Sequence, residues 1–106
     1  MNPRRFDVFL VSLDPAGGAE IRKTRPCVVV SPDEANARLS TAVVVPITSA
    51  IRSYPSRVDL VFRDREGQAA IDQIRAVDNV RMMRRLGRID PDAARRLTER
   101  LANYFS

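Results

Sequence analysis

The chain has 106 residues, 44% of them hydrophobic, enough for one folded domain over residues 1–106 with one modest core. It carries one cysteine and no histidine, which excludes an internal disulfide and every Ser-His-Asp or Cys-His nucleophile. The formal charge is +5, and of the 18 basic residues all but Lys23 are arginine, whose planar fork suits phosphate better than a point charge does. A basic, arginine-rich domain favours a polyanionic partner, although a merely soluble surface has the same composition. No apolar run is long enough to span a bilayer, and the first residues lack the pattern of a secretory signal. The expected location is the cytoplasm.

Phe6 to Leu13 reads as a first strand with apolar residues on both parities, so both of its faces should be covered. Asp14-Pro15-Ala16-Gly17-Gly18 breaks it, and the loop runs on to Thr24 through Glu20, Arg22 and Lys23. Arg25 to Ser31 is a second strand. Pro32 to Leu39 is a polar connection with room for one helical turn. Thr41 to Thr48 is a third strand, and Pro46 within it implies an edge or a bulge. A loop from Ser49 to Ser56 follows, carrying Arg52 and Tyr54. Arg57 to Phe62 alternates, with Val58, Leu60 and Phe62 on one face. Asp64 to Gly67 reads as a turn, Ala69 to Val77 as a fifth strand, Asp78 to Met83 as irregular, and Arg85 to Ile89 as a final strand.

The end of the chain differs. Asp90-Pro91 is a helix start, a capping oxygen followed by proline at the first helical position. Ala93, Leu97, Leu101 and Tyr104 or Phe105 then recur at helical spacing. Five or six strands and one helix predict a mainly β fold with a C-terminal helix, built as a small, partly open β-barrel.

A carboxylate on a flexible loop, Glu20, precedes an arginine that opens a strand, Arg25. If the loop folds back over the sheet, both reach one phosphodiester. Cleavage of RNA by internal transfer needs a base for the 2′-hydroxyl proton and positive charge on the phosphorane oxygens. Glu20 and Arg25 are of the right types for these tasks. A glutamate and an arginine near a turn are more often a surface ion pair worth about 0–1 kcal/mol, so spacing alone does not decide.

The order of short motifs does more. Asp7-Val8-Phe9-Leu10-Val11-Ser12-Leu13-Asp14-Pro15, then Gly18-Ala19-Glu20, then Arg25-Pro26 with three valines and Ser31-Pro32, are followed by Pro46-Ile47-Thr48-Ser49. Asp72-Gln73-Ile74-Arg75 with Val77-Asp78 comes next, and Leu86-Gly87 and Ile89-Asp90 lead into the helix. In this sequence and at these separations the fragments resemble the MazF/PemK family, the toxin endoribonucleases of type II toxin–antitoxin pairs. The resemblance implies an SH3-like, partly open barrel of the CcdB/MazF kind. It implies a homodimer that cuts single-stranded RNA sequence-specifically, an mRNA interferase held inactive by an acidic MazE-type antitoxin. It implies Glu20, Arg25 and Thr48 as the catalytic set, and products with a 2′,3′-cyclic phosphate and a 5′-hydroxyl. Arg22, Lys23, Ser49, Arg52, Tyr54 and Gln73 are the expected RNA contacts. No cofactor or metal is expected.

Two positions depart from the family pattern: Phe6 stands where glycine is usual, and Ala76 where threonine is common. Other features have plainer readings. Cys27 lies among valines as a small apolar residue. Arg81, Arg84, Arg85 and Arg88 read as a solvated basic face. Arg22, Lys23, Arg25, Arg52 and Arg57 are expected to present a positive groove. The alternative function is a CcdB-like toxin that binds DNA gyrase without cutting anything. The intact Glu20, Arg25 and Thr48 set and the absence of tryptophan weigh against it.

Overall fold

In a computed structural model, residues 2–13, 18 and 23–106 are described. The strands are β1 (Asp7–Ser12), β2 (Thr24–Val29), β3 (Thr41–Thr48), β4 (Arg57–Phe62), β5 (Arg65–Ala70), β6 (Arg75–Asp78) and β7 (Met82–Arg88). Two helices, α1 (Asp33–Arg38) and α2 (Pro91–Tyr104), and two 3-10 turns, Ile71–Gln73 and Asn79–Arg81, complete the order. All strand pairs are antiparallel. The sheet runs β4-β5-β3-β2-β1-β7, with β6 paired to β3, and it does not close.

Among the described residues there are seven strands, not five or six. The run Ala69 to Val77 is not one strand: Ile71–Gln73 turns, and the chain re-enters the sheet as β6 on a different stretch of β3. The turn expected over Asp64 to Gly67 lies earlier. Phe62 pairs directly with Arg65, leaving Arg63 and Asp64 as a two-residue hairpin loop with φ of 51° and 62°. Positive φ at both positions matches the twist of the flanking strands, but Asn-Gly normally supplies it. The sequence lacks that signal, and pairing of the flanking strands sets the turn instead.

Pro46 is in neither an edge strand nor a recorded bulge. It pairs with Cys27, and on its other side β3 changes partner, from β6 through Val44 to β5 from Ile47. The missing N–H falls where no ladder bond is demanded.

The double-sided burial expected of β1 is observed. One core contains Val8, Val28, Val45, Ile47, Val58, Leu60 and Ile71, closed by Ala93 and Leu97 of α2. The other face holds Phe9, Val11, Leu13, Cys27, Val29, Val44 and Val77. Asp90 caps α2 by accepting from the Ala93 N–H at 2.8 Å. Leu101 packs on the core, but Tyr104 and Phe105 are 48% and 64% exposed and do not extend the apolar stripe. They stack edge-on against each other instead.

Phe6 has φ 74°, a left-handed conformation that costs a side chain about 1–2 kcal/mol and glycine almost nothing. The departure from glycine is therefore a strained one. Its N–H donates to Val29 O at 2.7 Å, its carbonyl accepts from Ile89 N at 3.2 Å, and its ring packs against the helix-side core.

Candidate active site

Cys27 pairs with Pro46 in the β2–β3 ladder. The ladder ends there, and two residues further on along each strand, on the same side as that pair by strand alternation, stand Arg25 and Thr48. The flanking ladders complete the row, with Val11 across from Arg25 and Gln68 across from Thr48. Two residues 23 positions apart in sequence are thus brought to the same end of neighbouring strands.

The Thr48 hydroxyl accepts from the Ala50 N–H at 3.1 Å, which leaves its own proton free to donate. β5 crosses close behind it. A Cβ built on Gly67 would lie 2.8 Å from the Thr48 carbonyl oxygen. Only glycine lets the two strands approach this far.

Arg25, Thr48 and Ser49 border one cavity of about 330 Å³, shared with Arg63, Arg65 and Arg84. Leu10, Ile47, Phe62 and Leu86 give it an apolar lining. Lys23 is exposed, and its carbonyl accepts from the Leu13 N–H at 2.8 Å, fixing the point where the chain returns from its loop. Glu20 and Arg22 lie outside the described residues.

Arg52, Tyr54 and Gln73 do not border this cavity. Arg52 is held by Gln68, which is buried: its Oε1 accepts from the Arg52 N–H at 3.0 Å and its Nε2 donates to the Arg52 carbonyl at 3.1 Å and to Asp59 Oδ1 at 2.8 Å. Gln68 thereby ties down the loop after Thr48. Tyr54 is exposed, with the Arg57 guanidinium 5.2 Å from its ring centre. Gln73 is half-buried at the end of the first 3-10 turn.

Arg57, counted above in the positive groove, is engaged elsewhere. Its Nε lies 2.9 Å from Asp72 Oδ1, with only 9% of its side chain exposed. Burial pushes the Asp72 carboxyl up, but hydrogen bonds from Arg57 and Ser56 outweigh it and hold the group below the usual carboxylate range.

The basic run on β7 is not one solvated face. Arg85 and Arg88 both pair with buried Asp7, at 3.1 and 3.2 Å. Arg81 donates to the Ser12 carbonyl at 3.3 Å. Arg84 alone of the four borders the cavity. Gly67, Gln68 and Arg84 are the residues that reading the sequence missed. A glycine inside a strand pattern was the available signal for the first; only the register reveals the others.

Cys27 is buried, and burial pushes its thiol up to about 12, against a smaller opposing pull from Arg75. It is a packed apolar group with no nucleophile to offer at neutral pH. Among the described residues, no three His, Cys, Asp or Glu gather as metal ligands, and no helix is long and apolar enough to cross a membrane.

The fold is a small, open antiparallel sheet backed by one helix, with Arg25 and Thr48 at the rim of a cavity that three further arginines border. The family described as "PemK-like, MazF-like toxin of type II toxin-antitoxin system" matches residues 4–105. The chain is 40% identical to Endoribonuclease MazF9 of Mycobacterium tuberculosis, over 92% of each protein. It is 35% identical to Endoribonuclease toxin MazF of Escherichia coli K12, over 71% of this chain and 68% of that one. In fold it is similar to MazF of Deinococcus radiodurans, with a TM-score of 0.86, 23% identity and 99% and 97% of the two chains covered. It is similar too to a mycobacterial endoribonuclease in complex with its cognate antitoxin, with a TM-score of 0.83, 22% identity and 97% and 94% covered. The chain belongs to the PemK/MazF family of toxins.

Proposed function

We propose that this protein is an RNA-cleaving toxin, neutralised by a cognate antitoxin, whose residues 1–106 act as one endoribonuclease domain. Family membership supports the RNA-cutting activity over the gyrase-binding alternative, since the relatives at 40% and 35% identity are named endoribonucleases. One observation supports the mechanism: Arg25 and Thr48 border the same cavity.

In the proposed reaction the 2′-hydroxyl of single-stranded RNA attacks the adjacent phosphorus. Its proton passes to Glu20, the 2′-oxygen–phosphorus bond forms and the bond to the 5′-oxygen breaks. The leaving 5′-oxygen takes a proton from water, giving a 2′,3′-cyclic phosphate and a 5′-hydroxyl, and Glu20 returns its proton to solvent. Arg25 supplies charge and a forked pair of donors to the phosphorane oxygens. Thr48 donates its free hydroxyl proton to the same group. Lys23, Arg22, Ser49, Arg52, Tyr54 and Gln73 act as RNA contacts around this centre. The protein works in the cytoplasm as a homodimer and needs no metal. Its antitoxin is acidic and competes with RNA for the basic surface.

A gel of long unstructured RNA incubated with the protein in EDTA tests the reading. Discrete fragments ending in cyclic phosphate are expected. Intact RNA that becomes fragmented only on adding magnesium would overturn the mechanism; intact RNA under both conditions would overturn the enzyme. Arg25→Ala and Thr48→Ala should each lose about 10²–10³ in rate while staying folded, and Arg25→Lys should not rescue fully.

A further inference from the structure

We infer that the cavity behind the Arg25–Thr48 rim is a subsite for the nucleotide next to the cut, with Arg84 and Arg65 holding its phosphate. The inference rests on the RNA-cleaving reading above and extends it to residues with no role there.

The register separates two faces. Arg25 and Thr48 share one. Pro26, Leu10 and Arg84 form a row on the other, across β2, β1 and β7. Arg65, paired with Phe62, is brought to the same cavity from β5. At the strand ends the faces meet, so this cavity begins where the proposed reacting phosphate would sit. Its volume, about 330 Å³, is near the lower end for small-ligand sites, which run from roughly 300 to 1,000 Å³. That is room for one base against Leu10, Phe62 and Leu86, not for a longer segment.

Four arginines, Arg25, Arg63, Arg65 and Arg84, border the cavity against one carboxylate, Glu66, and this excess of cations makes it an anion site. Among the described residues, the guanidiniums of Arg84 and Arg65 make no hydrogen bond or ion pair. Their neighbour Arg63 is different: it donates to the Leu86 carbonyl and lies 5.7 Å from the Phe62 ring centre, so it braces the hairpin against β7. On β7 itself, Arg85 and Arg88 are matched to Asp7. Two unmatched guanidiniums from β5 and β7, strands that are not neighbours in the sheet, border one apolar-lined cavity and suit a phosphate there.

The test compares Arg84→Ala and Arg65→Ala with Arg85→Ala, which removes the same charge from the same strand as Arg84 but outside the cavity. The site cut in a long unstructured RNA is mapped first. Fluorescence anisotropy then follows a labelled 2′-O-methyl copy of that site, which cannot be cleaved, across a salt series. Cleavage of the RNA version is measured in parallel. Arg84→Ala and Arg65→Ala should weaken binding about 5- to 20-fold and raise KM with little change in kcat, as loss of uniform binding does. The salt slope should fall by about 0.7 for each lost phosphate contact. Arg85→Ala should change neither. If wild type cuts RNA but the Arg84 and Arg65 variants bind like Arg85→Ala, the subsite is wrong. If they bind RNA normally but lose affinity for an acidic antitoxin peptide, the cavity serves the antitoxin and the inference fails. Wild type that neither binds nor cuts RNA removes the reading beneath it.

Discussion

Gly67→Ala places one methyl group 2.8 Å from the Thr48 carbonyl oxygen, 3.4 Å from Ile47 Cγ2 and 3.6 Å from the Thr48 carbonyl carbon. The nearest atom belongs to backbone in the middle of the sheet, so no side chain can swing away to make room. Either β5 or the end of β3 must shift by several tenths of an ångström. Strain of this kind costs about 1–3 kcal/mol, which for a domain of this size lowers Tm by roughly 5–20 °C. The shift falls on the residue that carries the proposed hydroxyl donor. Misplacing a positioned group by about 1 Å costs up to roughly 10²-fold in rate, so the variant should lose about 10-fold or more in kcat. Circular dichroism melts give the first quantity. Cleavage assayed well below the variant's own Tm gives the second, so that unfolding does not pass for lost catalysis. A Gly67→Ala protein with wild-type Tm would refute the close approach of β5 and β3. One that is destabilised yet fully active would show that Thr48 is not held from behind.

Phe6→Gly should be about 1 kcal/mol more stable than Phe6→Ala, reversing the usual order, because φ 74° strains alanine and not glycine; equal denaturation midpoints would count against the strain. Asp72→Asn should lower Tm at neutral pH. The native carboxyl titrates below its ordinary value, so its contribution is full above about pH 4 and is lost as pH falls through the lower, folded value. Melts from pH 7 to 2 should therefore show wild type and Asp72→Asn converging in acid. Cys27, with its thiol pushed up to about 12, should resist Ellman's reagent at pH 8 and react at once in guanidinium chloride. Light scattering should give twice 11.9 kDa for the proposed homodimer, and a monomer at micromolar concentration would contradict it.

What the sequence made legible and what it hid divide along a physical line. Strands with strong local patterns were readable: β4, whose alternation faces Val58 and Leu60 inward, and β3, bounded by Thr41 and Thr48. The capped start of α2 was readable for the same reason, since Asp90 and Pro91 act within one turn. Features decided by tertiary partners were not. The hairpin at Arg63-Asp64 adopts positive φ without the residues that prefer it, because strand pairing on either side enforces it. The break between β5 and β6 is set by β3, which has one stretch for each. Tyr104 and Phe105 continue a helical period, but the surface beneath has run out.

The arginines show why the candidate site was only half readable. Composition announces a cationic protein, yet charge alone says nothing about which cations are available. Most of those described are absorbed by the fold. Asp7 takes Arg85 and Arg88, Asp72 takes Arg57, and Asp92 with Glu99 takes Arg95 on the helix surface. Arg96 and Arg100 donate to backbone carbonyls around β4, fastening α2 to the sheet. A net charge of +5 therefore overstates how diffuse the positive surface is. Arg65 and Arg84, which have no such partner among the described residues, both border the cavity beside Thr48. Several guanidiniums gathered at one cavity act on an anion together more strongly than the same charges scattered over the surface. In a chain without histidine, this sorting of guanidiniums is the proposed source of selectivity for the reacting phosphate. Each acidic residue that neutralises a distant arginine sharpens it. Asp7→Asn is then expected to free two competing cations, so that RNA binds more tightly overall while the fraction cut at the mapped site falls. Unchanged binding and site selection in that variant would mean that Asp7 serves the fold alone.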